Sequence, residues 1–288
     1  MRLRGITLLI IAGVMLPVGG WAQQRPLLTQ DVDLVKPGHI LFEFGFDFLQ
    51  NERFPVSGLK GDLTSAGVIG INIGLGETAE FQLSGTAANF LTVNERVPSF
   101  VTPHLSGDGR SATDIGDFVL ATKIRILPEG RRRPSMGFRV AVQLPNSDQS
   151  HGIGVNTTNV FGSFLFGKHF GKLNTFSNIG VGILTSPTQL FSQNDVVTYG
   201  VAGIYPLTPH VSVAGEINGR WSTRSGPAPL GTESLSQARL GLQVLAAGFR
   251  WDVAAIKGIT RVDPQSGITF GVSKDFKAFE IPMSAVSK

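Results

Sequence analysis

The chain has no cysteine, which excludes a disulfide framework and any thiolate metal site. Charged residues make up 16% of its 288 residues, against about 25% in ordinary soluble domains. Without Arg2 and Arg4 the 25 basic residues fall to 23, against 21 acidic, and the net charge falls from +4 to +2. That balance is too small and too scattered for a nucleic-acid surface, and no basic helix is present. Aromatic anchors are few, with three Trp and two Tyr beside 20 Phe. After residue 22 no apolar stretch reaches the roughly 18 residues that a transmembrane helix needs. The motifs H-E-x-x-H and G-x-S-x-G and a phosphate-binding loop are also missing. The five histidines, His39, His104, His151, His169 and His210, stand apart from one another. No cofactor or metal is expected, and an enzyme is the least favoured class. Its one foothold is His151 near Ser147 or Ser150, as in lipid-facing His–Ser pairs, because a catalytic triad is a matter of geometry and not of spacing.

What the chain does have is alternation. Residues 40–49 read I-L-F-E-F-G-F-D-F-L. Ile40, Phe42, Phe44, Phe46 and Phe48 fall on one face, and Leu41, Glu43, Gly45, Asp47 and Leu49 on the other. Side chains of a strand have period two, so this is one oily face and one wet face. The same pattern predicts twelve strands: 39–49, 62–75, 78–90, 114–127, 135–145, 158–170, 173–184, 195–205, 210–221, 234–246, 248–257 and 266–276. Globular strands cluster near five or six residues, whereas a tilted membrane strand needs roughly nine to eleven. The connections alternate long and short, beginning with 50–61 long and 76–77 tight. Outer-membrane barrels carry long external loops and short periplasmic turns. With an even strand number, both chain ends then lie in the periplasm.

Ahead of the strands, residues 1–22 have the form of a cleaved secretion signal. Arg2 and Arg4 open it, an apolar run covers 6–16, and Gly20-Trp21-Ala22 offers a small-residue cleavage site. The expected organisation is signal 1–22, an N-terminal segment 23–37 in the lumen or the periplasm, a barrel over 38–276 and a tail over 277–288. The expected fold class is all-β, a transmembrane antiparallel up-and-down β-barrel of about twelve strands in a bacterial outer membrane. A soluble sandwich also alternates, but its wet face is usually rich in Lys and Glu. Here that face is mostly small: Gly70, Asn72, Gly74, Ser84, Thr86, Ala121, Asn178, Gly180, Gly182, Ser212 and Ala214. Small side chains suit the crowded inside of a closed barrel.

Mid-strand charges test the assignment of faces. Glu43, Asp47, Glu80, Asp117, Lys123, Arg125, Arg139, Glu216, Arg220, Arg239, Arg250 and Asp252 all have luminal parity. Charges with the apolar parity, Asp114, Lys168, Asp195, Lys257 and Lys274, sit near strand ends, where a lipid-facing charge costs about 0–1 kcal/mol instead of the 2–4 kcal/mol of the midplane. The luminal set reads either as a pore lining that biases which solutes pass or as ion pairs that brace a filled barrel. Candidate girdle aromatics are Phe48, Phe90, Phe118, Phe170, Tyr205, Trp221 and Phe276. Segment 25–38 has no strand pattern, but Leu27, Leu28, Val32, Leu34 and Val35 give it something to bury. It either plugs the lumen or lies loose. Loop 91–113 is large enough to fold over the mouth.

The final strand, with Phe270, Val272 and Phe276, resembles the assembly signal of outer-membrane barrels, followed here by a twelve-residue extension. The opening R-P-L-L-T-Q-D-V-D-L-V-K-P-G-H-I-L-F-E-F-G-F-D-F and the stretch D-I-G-D-F-V-L-A-T-K-I-R-I-L resemble the outer-membrane family associated with the phenol meta-degradation pathway. Pro26, Thr29, Asp31, Pro37 and Gly38 match its opening, and Gly116, Asp117, Leu120 and Lys123 match its later strand, with Ile126 where that strand has Leu. The resemblance implies passage of small compounds, aromatic or apolar ones included, across the outer membrane, and it brings no catalytic residues. The implied partners are outer-membrane lipid, small-molecule solutes and the barrel-assembly machinery, with no nucleic acid. The rival classes are a structural or adhesive barrel acting through its external loops and, third, a lipid-modifying enzyme.

Overall fold

Alternating apolar and polar residues leave the backbone of each segment to be paired by its neighbours, and the chain solves this by closing on itself. The computed structural model describes residues 25–189 and 191–280. Residues 1–24, where a secretion signal is expected, and residues 281–288 of the tail lie outside the described residues. The strands are β1 (His39–Phe54), β2 (Leu59–Gly74), β3 (Ala79–Arg96), β4 (Ser111–Asp114), β5 (Val119–Leu127), β6 (Ser135–Gln143), β7 (Asn159–Phe170), β8 (Leu173–Thr185), β9 (Gln193–Pro206), β10 (Val211–Ser222), β11 (Leu235–Ala246), β12 (Phe249–Gly258) and β13 (Ser266–Lys277). One 3₁₀ turn, Gln149–His151, sits between β6 and β7. All pairings are antiparallel, and β13 returns to β1 with Phe270 opposite Phe46, which closes the ring. Both β4 and β5 lie against β3, β4 on residues 89–92 and β5 on residues 79–84. They are two halves of one stave, so the barrel has twelve. An even number puts the first strand's start and the last strand's end at the same mouth, where His39 pairs with Lys277.

Two expectations fail locally. The single strand expected over 114–127 is broken at 115–118. There the Gly116 N–H donates to Thr86 O at 2.9 Å and Leu144 N donates to Phe118 O at 2.7 Å. Asp117 turns away from the ladder to accept from Ser147 N (2.8 Å), Asn146 N (3.1 Å) and Gln143 Nε2 (2.8 Å). Side-chain bonds to backbone compete with strand pairing, and here they win. The long connection expected over 50–61 is instead a continued hairpin, with Glu52 opposite Gly61 and Phe54 opposite Leu59. A bulge at Asn51 (φ 54°) absorbs the register shift. The tip is then only 55–58, no longer than 75–78 at the other end. The pairing persists because Leu59 has a core to join, made with Leu91 and Ala112 and flanked by Leu105 and Ile153 from loops 97–110 and 144–158. Those loops fold inward over one mouth, the loop end. The opposite, turn end has 171–172 and 247–248 as its tightest connections.

The faces are inverted relative to a soluble sheet. In β12, Arg250 and Asp252 are buried at 7% and 2% exposure while Trp251 and Val253 are 40% and 43% exposed. Phe164, Ile179, Val181, Val201, Ile217 and Leu240 likewise face outward. Phe249, Trp251 and Phe270 form a ring ladder across β12 and β13 on that surface. Of the girdle aromatics, Phe48, Phe90, Phe170, Tyr205, Trp221 and Phe276 are exposed, whereas Phe118 lies in the break with its ring across Gly85. So continuous an apolar exterior is unfavourable in water, by about 25 cal/mol for each Å² exposed.

Candidate functional site: the lumen and the segment that crosses it

Residues 25–38 run through the barrel. They form no helix or strand, so their backbone N–H and C=O groups need partners inside a closed space. The luminal side chains supply them. Glu216 accepts from Leu28 N and Thr29 N, both at 2.8 Å. Glu80 accepts from Val35 N at 2.7 Å, and Glu43 from Arg25 N at 3.2 Å. The plug carbonyls are met by donors of the wall: Lys123 reaches Asp31 O (3.0 Å) and Asp33 O (2.7 Å), Arg239 reaches Pro26 O (3.1 Å), and Gln243 reaches Arg25 O (2.8 Å). Asn178 does both at Gln30, accepting from its N–H at 2.7 Å and donating to its carbonyl at 2.8 Å, as a neighbouring strand would. The plug's own side chains add Arg25 to Thr269 Oγ1 and Phe270 O, and Asp31 accepting from Asn174.

Burial works in the same direction. Leu27, Val32 and Val35 are at most 3% exposed. Leu27 packs with Phe176, Ala202, Ile204 and Ala214, and Val35 packs with Leu41. Leu28 remains open to the lumen. The wall is small where the plug passes. A Cβ at Gly200 would lie 2.6 Å from Thr29 Oγ1, and one at Gly45 or Gly271 would strike the Arg25 guanidinium. Gly45, Gly200 and Gly271 thus mark where the plug passes.

The twelve candidate charges divide by role. Glu43, Glu80, Lys123, Glu216, Arg239 and Asp252 touch the plug, Asp252 through Arg25 at 3.4 Å. Several are also paired across the wall: Lys123 with Glu80 (3.0 Å), Arg250 with Glu43 (3.0 Å) and Arg239 with Glu216 (3.7 Å). Asp47 is half-buried on the luminal face of β1, opposite Thr269. Arg125 donates to Glu77 O at the turn end, and Asp117 anchors a loop as described. Arg139 and Arg220 carry no ion pair among the described residues; Arg139 Nε donates to Gln82 Oε1, and Arg220 bonds Glu233 O and Gly231 O. Both line a chamber of about 450 Å³ above the plug, with Leu28, Phe161, Leu165 and Leu235.

Sequence reasoning placed Asn178 on the wet face without giving it a partner, and overlooked the uncharged amides Gln82, Gln243 and Asn174. Their luminal parity was visible, but nothing marked what they would meet. The histidine–serine site is not assembled as a triad. His151 Nδ1 lies 3.2 Å from Asp114, and among the described residues no hydrogen bond joins its ring to Ser147 or Ser150. No group of three or more His, Cys, Asp or Glu placed to hold a metal occurs among the described residues.

No family model matches the chain, and no curated protein matches it. Solved structures do. An outer membrane channel from Pseudomonas putida F1 aligns with 85% of this chain and 98% of its own, at 14% identity and a TM-score of 0.60. The translocator domain of the autotransporter NalP from Neisseria meningitidis aligns with 85% of this chain and 91% of its own, at 12% identity and a TM-score of 0.50. At such identities the likeness is one of fold: a closed, twelve-stave antiparallel barrel.

Proposed function

We propose that the chain is an outer-membrane channel for small solutes, closed at rest by its own residues 25–38, and that passage requires this segment to move. One observation carries the reading. Five of the twelve luminal charges, Glu43, Glu80, Lys123, Glu216 and Arg239, hydrogen-bond the backbone of a segment that forms no helix or strand. A barrel that only needed filling would do so with apolar side chains; a plug held by hydrogen bonds can be released and recaptured, because water replaces each bond as it breaks. The apolar exterior supports a lipid setting. The chamber, with Leu28, Phe161, Leu165 and Leu235, supports small apolar or aromatic cargo, and its size lies in the range of roughly 300–1,000 Å³ usual for ligand sites. Loops 97–110 and 144–158 are engaged in covering the mouth, which supports the channel over an adhesive barrel. Membership of the phenol meta-pathway family, suggested by Pro26, Thr29, Asp31 and Gly116-Asp117, belongs to the same proposal.

Liposome swelling with purified protein tests it. A neutral aromatic solute such as benzyl alcohol should enter faster through a variant lacking 24–36 than through the whole chain. Equal and negligible flux through both would refute the channel.

A further inference from the structure

Three cavities share walls in sequence. A vestibule of about 190 Å³ at the loop end, lined by Phe54, Val56, Ile153 and Val155, shares Arg220 and Leu235 with the main chamber. That chamber shares Arg139, Leu28 and Ser84 with an inner cavity of about 230 Å³ beside the plug, whose lining includes Arg25. Each shared wall therefore holds one guanidinium and one leucine. These guanidiniums differ from most basic groups of the lumen, Arg125 at the turn end apart. Arg25, Lys123, Arg239 and Arg250 each have a carboxylate within 4.0 Å, whereas Arg139 and Arg220 have none within that distance among the described residues. Among the described residues only the Nε of Arg139 is engaged, at 2.7 Å by Gln82, which leaves its two terminal nitrogens without an acceptor there.

Two acids along the route, Glu43 and Glu233, are held by the wall, whereas Asp263 and Glu52 each keep a buried oxygen without a hydrogen-bond partner. Asp263 accepts from Ser236 N (2.9 Å) and Thr260 N (3.0 Å) through one oxygen, while its other oxygen is buried without a hydrogen-bond partner. Glu43 is held by Arg250 and Arg25 N, and Glu233 accepts from Gly231 N. Glu52 Oε2 at the vestibule is buried without a hydrogen-bond partner. A guanidinium with no carboxylate within 4.0 Å, in an enclosed, largely apolar space, favours a planar anion that accepts two parallel hydrogen bonds.

We infer that the route selects amphiphiles carrying one negative charge, a ring-sized apolar body bearing a carboxylate, handed from Arg220 to Arg139. This rests on the reading of the lumen as a solute path. The apolar body lies against Phe161, Leu165 and Leu28 while the carboxylate takes the guanidinium fork.

The test is equilibrium binding of three matched ligands to the full chain in detergent: 1-naphthoate, 1-naphthalenemethanol and 1-naphthylmethylammonium. Naphthoate should bind on the order of tenfold or more tighter than the alcohol, the value of one charge-assisted hydrogen bond, and the ammonium weakest. Arg139→Gln and Arg220→Gln should each bring the naphthoate-to-alcohol ratio towards one, while Arg139→Lys keeps part of it. The wild-type ranking needs no variant, so a misfolded R139Q does not spoil the result. Equal binding of acid and alcohol, preference for the ammonium, or no naphthoate binding overturns the inference. Flux of benzyl alcohol into liposomes is scored separately: a barrel that passes the alcohol but ignores charge sinks this inference alone, and one that binds naphthoate but passes nothing sinks the channel.

Discussion

Glu216 is one of two charged side chains, with Lys123, that hold the plug backbone by two hydrogen bonds, and its removal has a calculable effect. Its carboxylate accepts two plug N–H groups at 2.8 Å and faces Arg239 at 3.7 Å. Hydrogen bonds to a charged group contribute about 1.5–3 kcal/mol each. Water entering a loosened lumen recovers part of that, and Glu216→Ala also leaves Arg239 without its nearest acid. A net loss of about 3 kcal/mol in plug affinity corresponds to a roughly 150-fold rise in the displaced population. The readout uses the chain's lack of cysteine. Val32 is fully buried between the plug and β6 and β7, so Val32→Cys provides one thiol that a bulky maleimide reaches only when the plug leaves. Cysteine packs there as a small apolar residue. If opening is fast relative to labelling, the rate tracks the displaced population. It should rise by about two orders of magnitude on adding Glu216→Ala, and by less with Glu216→Gln, which keeps one acceptor oxygen. Unchanged labelling in a variant whose circular dichroism matches that of the parent barrel would refute the assignment of Glu216 as a tether.

Two further outcomes follow from other parts of the fold. Asp117→Ala removes three hydrogen bonds that pin 143–147, so loop 144–158 should become cleavable by added protease while the barrel stays intact; Asp117→Asn should lie between, and equal resistance in all three proteins would contradict the anchoring role. At the turn end, Glu129 is held down to about 2, chiefly by Lys168 and then His169. A depressed carboxylate stabilises above its ordinary value near 4.5 and loses that contribution as pH falls from there towards 2. Hydrogen-exchange protection of turn 128–134, corrected for intrinsic rates, should hold from neutral pH to about 5 and decline below about 4, and Glu129→Gln should abolish the pH step.

The strands were legible because alternation is a property of each segment alone. Arg250-Trp251-Asp252-Val253 can place its charges on one face and its apolar side chains on the other in no extended conformation but this one. Closure into twelve staves followed from strand length and an even count. The break at 115–118 was not legible, since its cause is Asp117 meeting Asn146 and Ser147 some thirty residues on. The continued first hairpin was hidden for the same reason: Leu59 pairs onward only because Leu91 and Ala112 wait for it. The plug was suggested by its apolar residues, and the luminal charges were found by parity, but nothing joined the two. A segment without periodicity has no register from which to predict that Glu216 meets Leu28 N or that Asn178 straddles Gln30. The small wall residues held the clue, since Gly45, Gly200 and Gly271 leave room for a second chain segment and not for open solvent.

The central claim is that residues 25–38 must move for solutes to pass, and it can be tested in one sample. The Thr29 Cβ lies 3.2 Å from the position of a Cβ at Gly200, near the roughly 3.5–4.5 Å that a disulfide spans. Thr29→Cys with Gly200→Cys therefore allows the plug to be bolted to β9 by oxidation and freed by reduction. In proteoliposomes, aromatic-solute flux should be negligible in the oxidised protein and appear when a thiol reductant is added. The same flux in both states would contradict the account.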